Sequence, residues 1–279
     1  LLVPLLDLAN HDAIPSAMYA YGCGEGCGPS IRLHAARDLK EGEAVTITYG
    51  SHTSDHFALY YGFVPQPNPH DKLQVSLSDV LSTCGVSEPQ DGGWGKAIEE
   101  KGDAGLATRL FDLKGCGPSR DLITTLSSLF GSEGKEDGGV ACKAIASTIR
   151  AIEGGLWGYN AAAGQEEEAM VEAEARGVQV DEALLAQPTG GDDGLSEAGA
   201  LLVSLRLGRK RMLSSLRQSL HEVALLYESG EVEEGKRRLE GMVEEAEEGV
   251  NEYPGLDVID VDVMTGWPDS DWDWEGGAW

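Results

Sequence analysis

Apolar residues recur along the chain in two rhythms. In the first eighty residues the spacing is two. Val45, Ile47 and Tyr49 alternate with Thr46 and Thr48 after a Glu41-Gly42-Glu43 turn, and Ile31, Leu33 and Ala35 alternate one step earlier. Successive side chains of an extended strand point to opposite faces, so both runs predict short strands, and the Gly- and Pro-rich stretches between them predict an irregular β-rich unit. From about residue 75 the spacing changes to three and a half. Pro118 and a capping Ser119 open a predicted helix whose stripe is Leu122, Ile123, Leu126, Leu129 and Phe130, with Gly131 as its stop. A second stripe runs through Ala141, Ile145, Ile149 and Ile152. The longest takes in Leu202, Leu205, Met212, Leu213, Leu216, Leu220, Val223 and Tyr227, breaks at Ser229-Gly230, and returns through Val232, Leu239, Val243 and Val250. The pattern predicts an α+β fold, a β-rich segment followed by a helical lobe built from hairpins. Gly-rich and acidic stretches near 90–95, 131–139 and 187–194 read as solvated loops.

Length and charge narrow this picture. At about 150 residues per domain, 279 residues suggest two domains or one with a long appendage. Lys and Arg number 21 against 48 Asp and Glu, a formal charge of -27. That balance argues against a nucleic-acid binder, which needs clustered basic side chains to neutralise phosphates, and against attraction to an acidic membrane surface. No apolar run approaches the length of a membrane span, and residues 1–6 lack a signal peptide's basic flank, so the chain reads as soluble. Five irregularly spaced cysteines (Cys23, Cys27, Cys84, Cys116, Cys142) fit free thiols in a reducing, intracellular compartment. The charge is uneven: residues 1–83 hold 4 basic and 9 acidic side chains, the remainder 17 and 39. Residues 251–279 carry eight acids, no Lys or Arg, and Trp267, Trp272, Trp274 and Trp279, which predicts a disordered acidic tail. An opening at Leu1, already inside an apolar run, suggests a piece of a longer protein.

Two segments carry chemistry. The first is Pro4-Leu5-Leu6-Asp7-Leu8-Ala9-Asn10-His11. The second runs from Glu41-Gly42-Glu43 through Val45 to Tyr49-Gly50, then Tyr61-Gly62-Phe63-Val64 and Asn68-Pro69-His70-Asp71. Alone, Asn-His after an apolar run is a polar turn, and a Tyr at a strand end is half-buried packing. In this order and spacing they resemble the C-terminal half of a SET domain, in the branch related to Rubisco large-subunit lysine methyltransferase. The resemblance is strong over residues 1–75. It continues more weakly through Phe111-Asp112-Leu113, Gly117-Pro118-Ser119 and the Leu201–Tyr227 helix, which are similar to the branch's helical substrate-binding domain. It implies three regions: 1–75 the C-terminal part of the SET domain, 76–250 the helical substrate-binding domain, and 251–279 the acidic tail. The family's N-terminal half, with a Gly-rich turn that grips the methionine moiety, would precede Leu1.

The resemblance implies an S-adenosylmethionine-dependent protein-lysine methyltransferase whose partner is a protein bearing the target lysine. Asn10 and His11 would hold the adenine end of the cofactor. Tyr49 would be the catalytic tyrosine beside the sulfonium, with Phe63 on the cofactor side, and Asp7, Tyr19 and Tyr61 would meet the target lysine. The methyl group would pass in line to a neutral amine, which calls for shape, orientation and aromatic or oxygen dipoles more than an acid-base pair. A catalytically inactive SET-like interaction module and a protein-histidine methyltransferase of the same branch are the alternatives.

Other constellations are weaker. Cys23 and Cys27 near His11 and His34 lack the ligand pairing of a structural zinc site. Gly22, Gly24, Gly26 and Gly28 lead into a strand, whereas a dinucleotide-binding loop opens a helix. His52 and His56, like His70 and His221, read as ordinary surface residues. Arg206, Arg209, Lys210 and Arg211 form the strongest basic cluster and are expected to pair with the Glu-rich return helix, Glu233 to Glu248.

Overall fold

The computed structural model describes residues 6–22, 30–83, 105–130, 138–157, 167–187 and 195–248. Most of the predicted helices form where their stripes lie. We label them α1 (Ser54–His56), α2 (Leu77–Thr83), α3 (Arg120–Phe130), α4 (Gly138–Trp157), α5 (Glu167–Leu185), α6 (Glu197–Glu228) and α7 (Val232–Glu248). The strands are β1 (Asn10–His11), β2 (Ala17–Gly22), β3 (Ser30–Ala35), β4 (Thr46–Ile47), β5 (Lys72–Ser76) and β6 (Leu110–Lys114). They pair two by two: β1 with β4 in parallel, β2 with β3 and β5 with β6 antiparallel. The mixed α+β class with a helical lobe is as expected, and the acidic tail lies outside the described residues.

Packing divides the chain at Gly50 and Ser51 into two units. In the first, Ser16 joins the pieces. Its backbone N–H donates to Thr46 Oγ1 at 3.0 Å, the Thr46 N–H donates back to Ser16 Oγ at 2.8 Å, and Ala36 N–H donates to the Ser16 carbonyl. Ser16 is buried, so both polar atoms are satisfied without water. The β2–β3 ribbon is built as its alternation predicts, yet Leu33 stays 47% exposed. A two-stranded ribbon offers little surface for an apolar face to bury against.

The second unit is organised around α6. Leu213, Leu216, Leu220 and Val223 form its buried stripe and meet Leu122 and Leu126 of α3, and Ala141, Ile145 and Ile149 of α4. β5 and β6 add Val75, Phe111 and Leu113 to the same core. Gly230, at φ 87°, makes the turn into α7, whose Leu239 and Val243 return to the core. Ser119 stands at the head of α3, but its carbonyl rather than its hydroxyl meets the helix, accepting from the N–H groups of Leu122 and Ile123. Leu202 is a further departure. It lies one residue from the buried Val203 and is 65% exposed. Helix α5 was not anticipated from the apolar pattern, and Val250 and the loops near 90–95 and 131–137 lie outside the described residues.

The basic cluster does not pair with α7. Arg206 and Lys210 bind Asp181 on α5, Arg211 binds Glu182, and Arg209 binds Asp55. At 1.5 Å per residue the cluster lies about 27–35 Å up α6 from the Ser229 turn, at or beyond the far end of α7, which runs about 25 Å back, and carboxylates of α5 and α1 pair with it there. The acids of α7 take other partners: Glu240 and Glu247 bind Arg120 of α3.

Gly117, after β6, packs against the backbone of α7. A Cβ there would lie 2.1 Å from the Met242 carbonyl oxygen. Gly117→Ala is therefore expected to cost roughly 2–3 kcal/mol, at the upper end for overpacking, because backbone cannot move aside as a side-chain tip can. Urea unfolding measures it, and an unchanged midpoint would mean that α7 is held away from this turn.

Candidate functional site

The parallel pairing of β1 with β4 sets Asn10 beside Thr46 and His11 beside Ile47. Asp12 N–H extends the ladder by donating to the Ile47 carbonyl at 3.0 Å. Two motifs some forty residues apart are thereby laid side by side, and two contacts lock them. The Tyr49 backbone N–H donates to His11 Nδ1 at 3.1 Å, and the Tyr49 hydroxyl donates to the Ala9 carbonyl at 2.8 Å. The rings of His11 and Tyr49 lie 5.4 Å apart between centroids, tilted by 44°.

Each bond fixes a proton. A ring nitrogen that accepts carries none, so the His11 proton sits on Nε2. With its own proton committed to Ala9, the Tyr49 oxygen can meet any further group only as an acceptor. Asn10 is exposed at the same strand, and Asp7 is exposed in the 3-10 turn Leu6–Leu8 just before the Ala9 carbonyl. That turn closes by Ala9 N–H donating to the Leu6 carbonyl. Tyr19 stands on β2 opposite Leu33 and is 41% exposed.

Tyr61 and Phe63 belong to the second unit, where they gather around Phe57. Phe57 lies 5.6 Å from Tyr61 and 5.3 Å from Phe63 between ring centroids, distances typical of paired aromatics, and Phe57 is fully buried. The π-helical turn Phe57–Tyr61 makes this possible, and Gly62 at φ 76° ends it. The stretch Asn68-Pro69-His70-Asp71 braces the cluster's approach. Asn68 Nδ2 donates to the His52 carbonyl and to Ser54 Oγ, and buried Asp71 accepts from the Ser54 N–H. His52 and His56 are stacked at 4.0 Å, which departs from their reading as ordinary surface residues. Burial, with Lys114 and His52 nearby, pushes the His70 imidazole below its ordinary pKa.

The structure thus joins His11 and Tyr49 directly, puts Asn10 beside them, and gathers Tyr61 with Phe63. Asp7 and Tyr19 stand on adjoining elements of the first unit. Ala9, Ser16 and Phe57 escaped the sequence reading. Ala9 contributes a backbone carbonyl, which its side chain does not reveal, and Ser16 finds Thr46 thirty residues away. Among the described residues no cluster of His, Cys, Asp or Glu is arranged to hold a metal ion, and no helix is long and apolar enough to cross a membrane.

Two curated proteins are similar to part of the chain. SET domain-containing protein 8 of Schizosaccharomyces pombe is 36% identical over 67 residues, 24% of this chain and 14% of that protein. SET domain-containing protein 4 of Mus musculus is 29% identical over 128 residues, 46% of this chain and 28% of that protein. The chain is related to SET-domain proteins. It matches less than a third of the length of either relative. No family model matches the chain.

Proposed function

We propose that the protein is a SET-type protein-lysine methyltransferase that uses S-adenosylmethionine, in the branch related to Rubisco large-subunit methyltransferase. The observation that carries this reading is the double lock between the Asn10-His11 segment and Tyr49. It holds a hydroxyl oxygen at a fixed point, oriented to accept, beside a polar strand end. The cofactor supplies a methyl group on a sulfonium, a cation with no proton to lose. A fixed acceptor oxygen suits that chemistry because it attracts the cation and directs the amine without competing as a nucleophile.

In this reading Asn10 and the Nε2–H of His11 hold the polar edge of the adenine, and Tyr49 positions the amine of the target lysine. Phe63 borders the cofactor, where an aromatic face stabilises positive charge, while Asp7, Tyr19 and Tyr61 meet the lysine side chain. Residues 84–279 carry 39 acids against 17 basic side chains, a field that would draw a basic target segment toward the enzyme.

Calorimetric titration of the intact protein with S-adenosylmethionine tests the proposal, and saturable one-to-one heat is the expected result. Absence of heat would leave a SET-like interaction module without cofactor. Mass spectrometry of the modified target then decides the residue: methyl groups on histidine would overturn the lysine assignment and keep the cofactor.

A further inference from the structure

Within the second unit, helix α6 reaches one short stretch of chain at three points. Residues 54–72 carry the π-helical turn with Phe57 and Tyr61, and then Phe63; of their apolar side chains Phe57 alone is buried. None of them belongs to the core around Leu213, Leu216 and Leu220. A segment with so little buried apolar contact depends on other restraints to hold one conformation.

Arg209 makes two of the three ties. Its Nη1 donates to the Lys72 carbonyl at 2.5 Å and its Nη2 to the carboxylate of Asp55. Asp55 stands on α1 just before Phe57, and Lys72 opens β5, so one guanidinium holds both the entry and the exit of the segment. Entry and exit also meet each other, through the Ser54 N–H donated to Asp71 Oδ1 at 3.1 Å. That buried carboxylate oxygen lies 3.9 Å from Arg209 Nη2, too far for a hydrogen bond but near enough for charge attraction. The third tie holds the middle: Gln66 Nε2 donates to the Ser204 carbonyl at 2.7 Å, and Gln66 Oε1 accepts from Arg211 Nη1 at 3.1 Å. The Arg209 side chain is nearly buried and its fork is planar, so its two donors point in fixed directions that a lysine ammonium does not reproduce.

We propose that Arg209 is a positioning residue: by tying both ends of residues 54–72 to α6, it fixes where Tyr61 and Phe63 stand. The tie is made by contacts within one unit, whereas its consequence for the cofactor rests on the methyl-transfer reading above, in which Phe63 borders S-adenosylmethionine. Removing the fork leaves the core of α3, α4 and α6 in place, because an ion pair to a carboxylate as exposed as that of Asp55 adds little to global stability. What changes is the freedom of the aromatic turn. Its rings then occupy the binding arrangement for only part of the time, and affinity falls by that fraction.

Hydrogen–deuterium exchange of the full chain without cofactor tests the tie. Arg209→Gln is expected to speed exchange at residues 57–63 about tenfold while residues 213–220 keep the parent's protection, and Arg209→Lys, which keeps the charge but not the fork, should do nearly the same. Unaltered exchange at residues 57–63, full recovery in Arg209→Lys, or loss of protection throughout the helical unit would each overturn the proposal. Calorimetric titration with S-adenosylmethionine then separates positioning from stability. Arg209→Gln should weaken binding about fivefold, but less than about twofold when made in a Phe63→Leu background, because a residue that acts through another has nothing left to position. Equal losses in the two backgrounds would overturn action through Phe63. A parent chain that gives no heat with S-adenosylmethionine would sink the methyl-transfer reading instead, and the exchange result would still decide the tie.

Discussion

Replacing Tyr49 with phenylalanine is expected to slow methyl transfer by about a hundredfold, the usual consequence of losing one positioned dipole at a developing charge. S-adenosylmethionine affinity should stay nearly constant. The reason is geometric. Phenylalanine keeps the ring, and the backbone N–H of residue 49 still donates to His11 Nδ1, so β1 and β4 remain in register and the adenine contacts proposed for Asn10 and His11 persist. What disappears is the hydroxyl anchored on the Ala9 carbonyl. Ala9 is buried, so its carbonyl loses a donor, and stability should fall by about 1 kcal/mol without breaking the β1–β4 pairing. Single-turnover rates at saturating cofactor separate the two effects, because a group that acts only in the transition state lowers kcat without raising the dissociation constant. An unchanged rate would remove Tyr49 from the reaction and leave it as a strut between two strands.

How much of this was legible beforehand depends on how local each feature is. The stripe Leu122, Leu126 and the run Leu213, Leu216, Leu220 announce buried helix faces because period alone fixes which side chains share a side, and they are fully buried. Thr46 and Ile47 form a strand where alternation places one, but alternation is silent about the parallel partner at Asn10 and His11. The candidate site was legible as an ordered set of residue types. Its working geometry was not, since the two contacts that lock it use the carbonyl of Ala9 and the N–H of Tyr49, groups every residue possesses. Helix α5 shows a different limit. Its apolar pattern is weak, and its described contacts with α6 run through Asp181 and Glu182, so its anchoring is a matter of ion pairing rather than of periodicity. The composition of the cluster predicts acidic partners for Arg206 and Lys210, but the partner is Asp181 of α5 and not the glutamates of α7.

Asp181→Ala is expected to destabilise the helical unit by about 3–5 kcal/mol, the range for breaking a buried ion pair from one side. Asp181 is 1% exposed and the Lys210 side chain 4%, and Lys210 Nζ lies 2.9 Å from Asp181 Oδ2. Arg206 donates to both carboxylate oxygens from a more exposed position. With the carboxylate gone, the buried Lys210 ammonium loses the counter-charge that lies 2.9 Å from its Nζ. The double variant Asp181→Leu with Lys210→Met should recover most of the loss, because it removes both desolvation penalties and fills the space with apolar atoms. Additive losses in the double variant would mean that the two side chains act independently. Acid supplies a second check. Burial pushes the Asp181 carboxyl up, but the hydrogen bonds and charges of Arg206 and Lys210 outweigh it and hold the group below its ordinary range. A carboxyl with a depressed folded pKa contributes in full above its unfolded value of about 3.9 and loses that contribution as pH falls through and below it. The stability gap between the parent chain and Asp181→Ala should therefore be full in urea titrations at neutral pH and shrink once the pH drops below about 4. A gap that stays constant on acidification would show that Asp181 acts through packing rather than through its charge.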